Sequence, residues 1–221
     1  PYLPAIRRLV ELAAGIQGAS GDSLEFIDMG GGLGVPYKPE ERELDLPHFA
    51  SQVVRTFLDS TQACGISGNP YLALQPGRYL VADAVVLLTT VNTIKKTPYR
   101  LFVGVDAGFN DLARPAMYGS YHHILNASNM MAAPSKVDVV GPLCESGDIF
   151  ARDREVAEIS EGNVLAILNA GAYGYSMSSQ YNSRPRAAEV LVNEGDVVLV
   201  RERESLRNLA AGQHVPERLA R

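Results

Sequence analysis

Leu24-Glu25-Phe26-Ile27-Asp28-Met29-Gly30-Gly31-Gly32-Leu33-Gly34 is a short apolar run that ends in a glycine-rich turn. The run is strand-like, and the glycines mark where the chain leaves it. Without a Cβ, such a turn lets backbone N–H groups converge on an anion. A tight turn with no ligand satisfies the same residues, and they fit neither a Walker loop nor the dinucleotide pattern. Upstream, Leu3, Ile6, Leu9, Val10 and Ala13 recur at helical spacing and predict an amphipathic helix closed by Gly15 and Gly18. Downstream, Asp45-Leu46-Pro47 opens a second helix, with proline in its first turn. Phe49, Val53, Val54, Phe57 and Leu58 are its expected buried face, and Gly65 its cap. Residues 71–74 form another strand, which runs into Gln75-Pro76-Gly77-Arg78. Helix, strand, helix, strand predicts parallel β/α units. Two strands leave parallel edges and an open apolar face, so either the sheet is completed elsewhere or there are more strands than the pattern reveals.

Beyond Arg78 the texture changes. Residues 81–93 are rich in Val, Leu and Thr, and short strands are expected at 101–105, 137–140, 164–168, 189–192 and 197–200. Asn193-Glu194-Gly195-Asp196 joins the last two as a hairpin. No helical periodicity separates these strands, which predicts an antiparallel β domain. The fold class is therefore α/β plus all-β, with residues 1–84 in the first part and 85–221 in the second.

The balance of 20 basic against 25 acidic residues, net −5, argues against nucleic acid or an anionic membrane as partner. No apolar run approaches the roughly 20 residues of a membrane span. Residues 1–10 carry Arg7 and Arg8 within an amphipathic pattern, so no secretory leader is expected there. Cys64 and Cys144, the only cysteines and far apart, suggest reduced thiols and a cytoplasmic home. Adjacent His122 and His123 point in different directions on regular structure, and no metal site is expected.

Several polar residues stand where chemistry would need them. Arg78 ends a parallel strand, where β/α folds place their sites, and suits a phosphate or carboxylate, although a turn with a surface arginine gives the same sequence. Arg114, just before Pro115, is expected in extended or turn backbone, with Tyr118 nearby. Cys144 lies on a turn beside Glu145 and Asp148, a setting for a proton donor rather than a nucleophile. A buried structural cysteine is the competing reading. Tyr173, Tyr175 and Tyr181 flank a small polar loop and either touch a ring or phosphate or pack across a β surface.

Their ordered occurrence carries more than any one of them. Gly30-Gly31-Gly32-Leu33-Gly34, Pro76-Gly77-Arg78, Asn110-Asp111-Leu112 with Arg114-Pro115 and Tyr118, Gly141-Pro142 with Cys144-Glu145-Ser146, and Tyr181-Asn182 together resemble the fold-type III pyridoxal-phosphate decarboxylases. Cys-Glu-Ser is more similar to the diaminopimelate branch than to the ornithine branch. The resemblance runs from about Leu24 to Val200. It implies the C-terminal part of a pyridoxal-phosphate-binding (β/α)8 barrel, or TIM barrel, followed by the β domain, in a homodimer with shared active sites. It also implies an activity, decarboxylation of meso-2,6-diaminopimelate to L-lysine as the last step of lysine biosynthesis. By the same resemblance Gly30, Gly31, Gly32, Gln75, Gly77, Arg78 and Tyr181 hold the cofactor. Arg78, Arg114, Tyr118, Glu145 and Tyr181 hold the amino-acid substrate, and Cys144 arrives from the partner subunit as general acid.

Two departures from the family pattern matter. Its Schiff-base lysine lies early in the barrel, before this chain begins, and none of Lys38, Lys95, Lys96 and Lys136 matches that position. The isolated chain is therefore expected to be inactive. The family usually has a glutamate where Gln75 stands, paired with the pyridine nitrogen, and a neutral amide is expected to weaken electron withdrawal. Alternatives that remain open are a non-catalytic decarboxylase-like module that binds partners, and an arginine or carboxynorspermidine decarboxylase of the same fold.

Overall fold

The computed structural model describes residues 2–219. The chain divides into two compact units between Ala82 and Asp83, and each stands on its own packing.

In the first unit, α1 (Tyr2–Ser20) and α2 (Leu46–Ala63) cover a parallel pair, β1 (Phe26–Asp28) and β2 (Tyr71–Ala73). Their shared core holds Ile6, Val10, Ala13, Ile27, Val53 and Phe57. Helix α1 does not stop at Gly15 or Gly18. Both sit on its exposed side, where the modest helix cost of glycine is tolerated, and the chain turns only at Gly21, whose N–H donates to Gln17 O at 2.9 Å. Helix α2 begins as its sequence predicts: the Asp45 carboxylate caps it by accepting from His48 N at 3.0 Å. Its apolar face is narrower than expected, because Val54 and Leu58 remain exposed while Thr56 joins the core. A short helix that the sequence pattern did not reveal, α3 (Gly77–Val81), follows β2.

The second unit is a six-stranded sheet in the order β5-β8-β3-β4-β6-β7, with a separate hairpin β9-β10. The strands are β3 (Leu87–Lys96), β4 (Leu101–Val105), β5 (Ile124–Asn126), β6 (Pro134–Val140), β7 (Ile149–Ala157), β8 (Val164–Ile167), β9 (Glu189–Asn193) and β10 (Asp196–Arg201). Pairing is antiparallel except for β4 with β6, which run parallel. Val103, Val105, Val137, Val139, Leu165 and Ile167 form the centre of its core, and all but Leu165 are β-branched, which suits pleated packing. In the β9-β10 turn Glu194 and Gly195 both have positive φ, as a two-residue type I′ hairpin requires.

His122 is fully buried in this unit, and its Nδ1 donates to Leu168 O at 2.9 Å. Burial, with lesser contributions from the charges of Arg114 and Arg154, pushes its pKa below the ordinary value. The folded ring stays neutral where the unfolded ring takes a proton, so stability is fully present above about pH 6.5 and is lost as the pH falls below it. The unfolding midpoint should therefore drop as the pH falls below about 6.5, with a slope of at most about 1.4 kcal/mol per pH unit from this residue. His122→Gln should flatten that slope in urea titrations, and an equal slope in both proteins would contradict the assignment.

Candidate functional site

The first group of predicted site residues gathers at one end of the parallel pair. Asp28 ends β1 opposite Ala73 of β2, so both chains leave the sheet together. The glycine turn then abuts the segment after β2: Gln75 N donates to Gly30 O at 2.8 Å, and a Cβ on Gly31 would stand 2.7 Å from Gln75 O. No side chain fits there. Gly30 and Gly32 have φ of +72° and +100°, which a side chain rarely adopts. The Gly30 amide donates to Asp28 Oδ1 at 2.7 Å, whereas no hydrogen bond within the described chain takes the amides of Gly31, Gly32 or Gly34. Arg78 sits on the first turn of α3 with its Nε buried and without a hydrogen bond. Unused amides, and a guanidinium whose Nε has no partner, are donors that suit an anion such as a phosphate. Gln75 is exposed, and its Nε2 donates to Asp28 Oδ2 at 2.6 Å. Hydrogen bonds from Gln75 and from Gly30 N hold the Asp28 carboxyl below its usual range.

The second group belongs to the sheet unit, where three loops are tied together. Asp106, after β4, accepts from Thr89 Oγ1 at 2.6 Å and from Thr90 N at 2.8 Å, anchoring the loop that carries Phe109 and Arg114. Asp148 is 3% exposed, and its carboxylate joins two loops. Oδ1 accepts from Phe109 N at 2.7 Å and Oδ2 from Leu143 N at 2.8 Å. Gly141 has no room for a side chain, since its Cβ would overlap the Asp148 carboxylate. Burial pushes the Asp148 carboxyl up, and the two backbone hydrogen bonds oppose that shift. The third loop closes on the first: Ser179 N donates to Asn110 O at 2.8 Å and Arg184 Nη2 to Asp106 O at 2.6 Å.

Cys144 and Glu145 are exposed on the loop that Asp148 pins. Asn182 Nδ2 donates to Cys144 Sγ at 3.5 Å, and the neighbouring Tyr181 ring lies 5.2 Å from that of Phe109. Arg114 starts a short helix, α4 (Arg114–Tyr118), rather than lying in extended or turn backbone, because Pro115 falls in the first turn where proline is tolerated. Its guanidinium lies 5.8 Å from the Tyr118 ring centroid and 5.2 Å from that of Tyr173, and Nη2 donates to Ser120 Oγ at 3.2 Å. Arg114 Nε is buried without a hydrogen bond. The structure thus links Cys144 to Asn182, the neighbour of Tyr181, and brings Arg114 to Tyr118. The glycine turn, Gln75, Gly77 and Arg78 belong to the other unit.

Asp28, Phe109 and the anchoring use of Asp148 escaped the sequence reading. Asp148 reads there as a second carboxylate beside the thiol, but its oxygens face backbone amides instead. Asp28 carries no signal beyond its place before the glycines. Among the described residues no group of three His, Cys, Asp or Glu side chains is placed to hold a metal ion, and no helix is long and apolar enough to cross a membrane.

Residues 41–171 match the family model described as the C-terminal sheet domain of pyridoxal-dependent decarboxylases, and the chain belongs to that family. Its relatives narrow the branch. Diaminopimelate decarboxylase of Methanothermobacter thermautotrophicus is 59% identical over 99% of this chain and 51% of its own length. That of Archaeoglobus fulgidus is 45% identical over 98% and 51%. The solved diaminopimelate decarboxylase of Methanocaldococcus jannaschii in complex with L-lysine superposes with a TM-score of 0.88, at 40% identity over 99% of this chain and 49% of that one. The chain spans about half the length of the curated relatives it matches. The fold class read from the sequence, a β/α part followed by a mostly antiparallel sheet, agrees with these neighbours.

Asp148→Asn keeps the shape of the carboxylate but turns one acceptor oxygen into an NH2 facing a backbone N–H. It should cost about 1–3 kcal/mol and free the Cys144 loop. In a Cys64→Ser background, Cys144 should then react faster with a thiol reagent. Unchanged stability and reactivity would contradict the role given to Asp148.

Proposed function

We propose that this chain is the C-terminal half of a pyridoxal-phosphate-dependent diaminopimelate decarboxylase, which converts meso-2,6-diaminopimelate to L-lysine. The observation that carries the reading is the similarity, from end to end of this chain, to half of each diaminopimelate decarboxylase it matches. The two loop groups support it with the donors and acceptors that such a substrate and cofactor need. The preceding half supplies the Schiff-base lysine, and the isolated chain is inactive. The assembled enzyme is a homodimer with shared sites and works in the cytoplasm. Residues 1–84 complete the cofactor-binding barrel, and residues 85–221 form the β domain.

Pyridoxal phosphate, when bound, supplies the electron sink for loss of CO2. Gly30, Gly31, Gly32, Gly77 and Arg78 fit its phosphate: a side chain at Gly31 would collide with Gln75 O, and the orphaned Arg78 Nε gains a partner. Gln75 and Tyr181 hold the rest of the cofactor. Arg78 and Tyr181 also contact the substrate.

The chain's own chemistry is recognition and proton delivery. Arg114, oriented by the Tyr118 and Tyr173 rings, receives the distal carboxylate of the substrate, with Tyr118 alongside. Glu145 receives the distal ammonium. A carboxylate and an ammonium recognised together select an amino-acid end over a simple amine. Cys144 delivers the proton to the carbon that has lost CO2, serving the partner's site, while Asn182 orients its sulfur.

The full-length protein should release CO2 from meso-2,6-diaminopimelate and form L-lysine. No turnover on that substrate by the cofactor-loaded protein would refute the proposal. Faster turnover of arginine or carboxynorspermidine would move it to another branch. Cys144→Ala should lower kcat by about 10²–10⁴-fold. Arg114→Lys should raise KM for diaminopimelate by about 10–100-fold, because a point charge cannot reproduce the guanidinium fork. Steady CO2 release by the 221-residue chain alone would overturn the need for a preceding half.

A further inference from the structure

Asp28 and Gln75 share the end of the parallel pair, and the direction of their hydrogen bond has a consequence. An ionised carboxylate offers only acceptors. Asp28 already takes Gly30 N on Oδ1, and Gln75 Nε2 on Oδ2 at 2.6 Å. The carboxylate therefore fixes which way round the Gln75 amide stands. Its NH2 faces Asp28, and Oε1 is left as an acceptor to which no described residue donates. The two hydrogen bonds hold Asp28 below the usual carboxylate range, which keeps it ionised and the amide oriented. Donation into a carboxylate also polarises the amide and strengthens Oε1 as an acceptor.

Through its backbone Gln75 adjoins the turn whose amides, with the buried Arg78 Nε, suit a phosphate. The complement of both features is one ligand that carries a phosphate and a cationic N–H. We propose that Asp28 is a positioning residue that orients Gln75 so that Oε1 accepts a hydrogen bond from the protonated ring nitrogen of pyridoxal phosphate. The carboxylate that a direct ring partner would provide is thereby set one amide further back. The inference rests on the cofactor reading above, and it replaces the expectation that Gln75 merely weakens electron withdrawal. Removing the charge reverses the arrangement. In Asp28→Asn the new side-chain amide donates to Gln75 Oε1, Gln75 Nε2 turns outward, and a donor then faces the ring, which suits the unprotonated nitrogen.

The test is the 15N chemical shift of the ring nitrogen in the full-length protein loaded with ring-15N pyridoxal phosphate at pH 7. The parent protein should show the pyridinium shift. Asp28→Asn should move it to the neutral-pyridine shift, and the double variant Asp28→Asn with Gln75→Glu should move it back. Gln75→Leu, at an exposed position that leaves Asp28 in place, should also give the neutral shift. If Asp28 were only structural, Asp28→Asn would lower cofactor occupancy, read from visible absorption, without moving the shift of the bound fraction, and that result overturns the proposal. A neutral-pyridine shift in the parent protein overturns it as well. Failure of the parent protein to bind the cofactor at all would instead bring down the underlying cofactor reading, and this inference with it.

Discussion

The buried Asp148 carboxylate holds the sheet unit's site together. Its two oxygens receive backbone N–H groups from two different loops, and the same residue accepts Gly141 N through its own carbonyl. Hydrogen bonds to a charged acceptor contribute about 1.5–3 kcal/mol each, enough to tie the largely exposed loop that carries Cys144 to the loop after β4, which Leu112 anchors in the core. The cost is desolvation, visible in the upward push on its carboxyl. Cys144 and Glu145 can stay exposed because the backbone beneath them is pinned. Reactive groups on loops need such a support if they are to be presented in one geometry.

The β/α unit solves the corresponding problem with backbone packing. Gly31 lies against Gln75 O, and Gln75 N bonds Gly30 O, so the two segments leaving the sheet brace one another. Here too an aspartate takes a backbone amide, Gly30 N, while ordering a side chain. Each unit thus uses a carboxylate as scaffold and leaves the outward chemistry to a neighbouring residue.

Much of this was legible in the sequence where local chemistry decides the structure. The cap Asp45, the strand before the glycines, the 101–105 strand and the Glu194-Gly195 turn follow from propensity and turn chemistry, and the structure places them so. Strand β7 was not legible. Its Ala151-Arg152-Asp153-Arg154-Glu155 stretch is charged, Asp153 has positive φ, and register shifts break the alternation that marks a strand. Arg114 was expected in extended or turn backbone on the strength of Pro115, whereas the first turn of a helix accepts that proline. The parallel β4-β6 pair depends on contacts between segments distant in sequence, which no local pattern encodes. In the candidate site, residues named for their chemistry were accessible to reading, and those that act by holding others, Asp28, Phe109 and Asp148, were not.

This chain is proposed to supply cofactor and substrate contacts, while the covalent anchor of the cofactor lies in sequence before it. The most direct measurement is borohydride reduction of the cofactor-loaded full-length protein, followed by mass-spectrometric mapping of the pyridoxyl-lysine. The account predicts a single modified lysine outside the 221 residues. A pyridoxyl group on Lys38, Lys95, Lys96 or Lys136, or no adduct on any lysine, would contradict it.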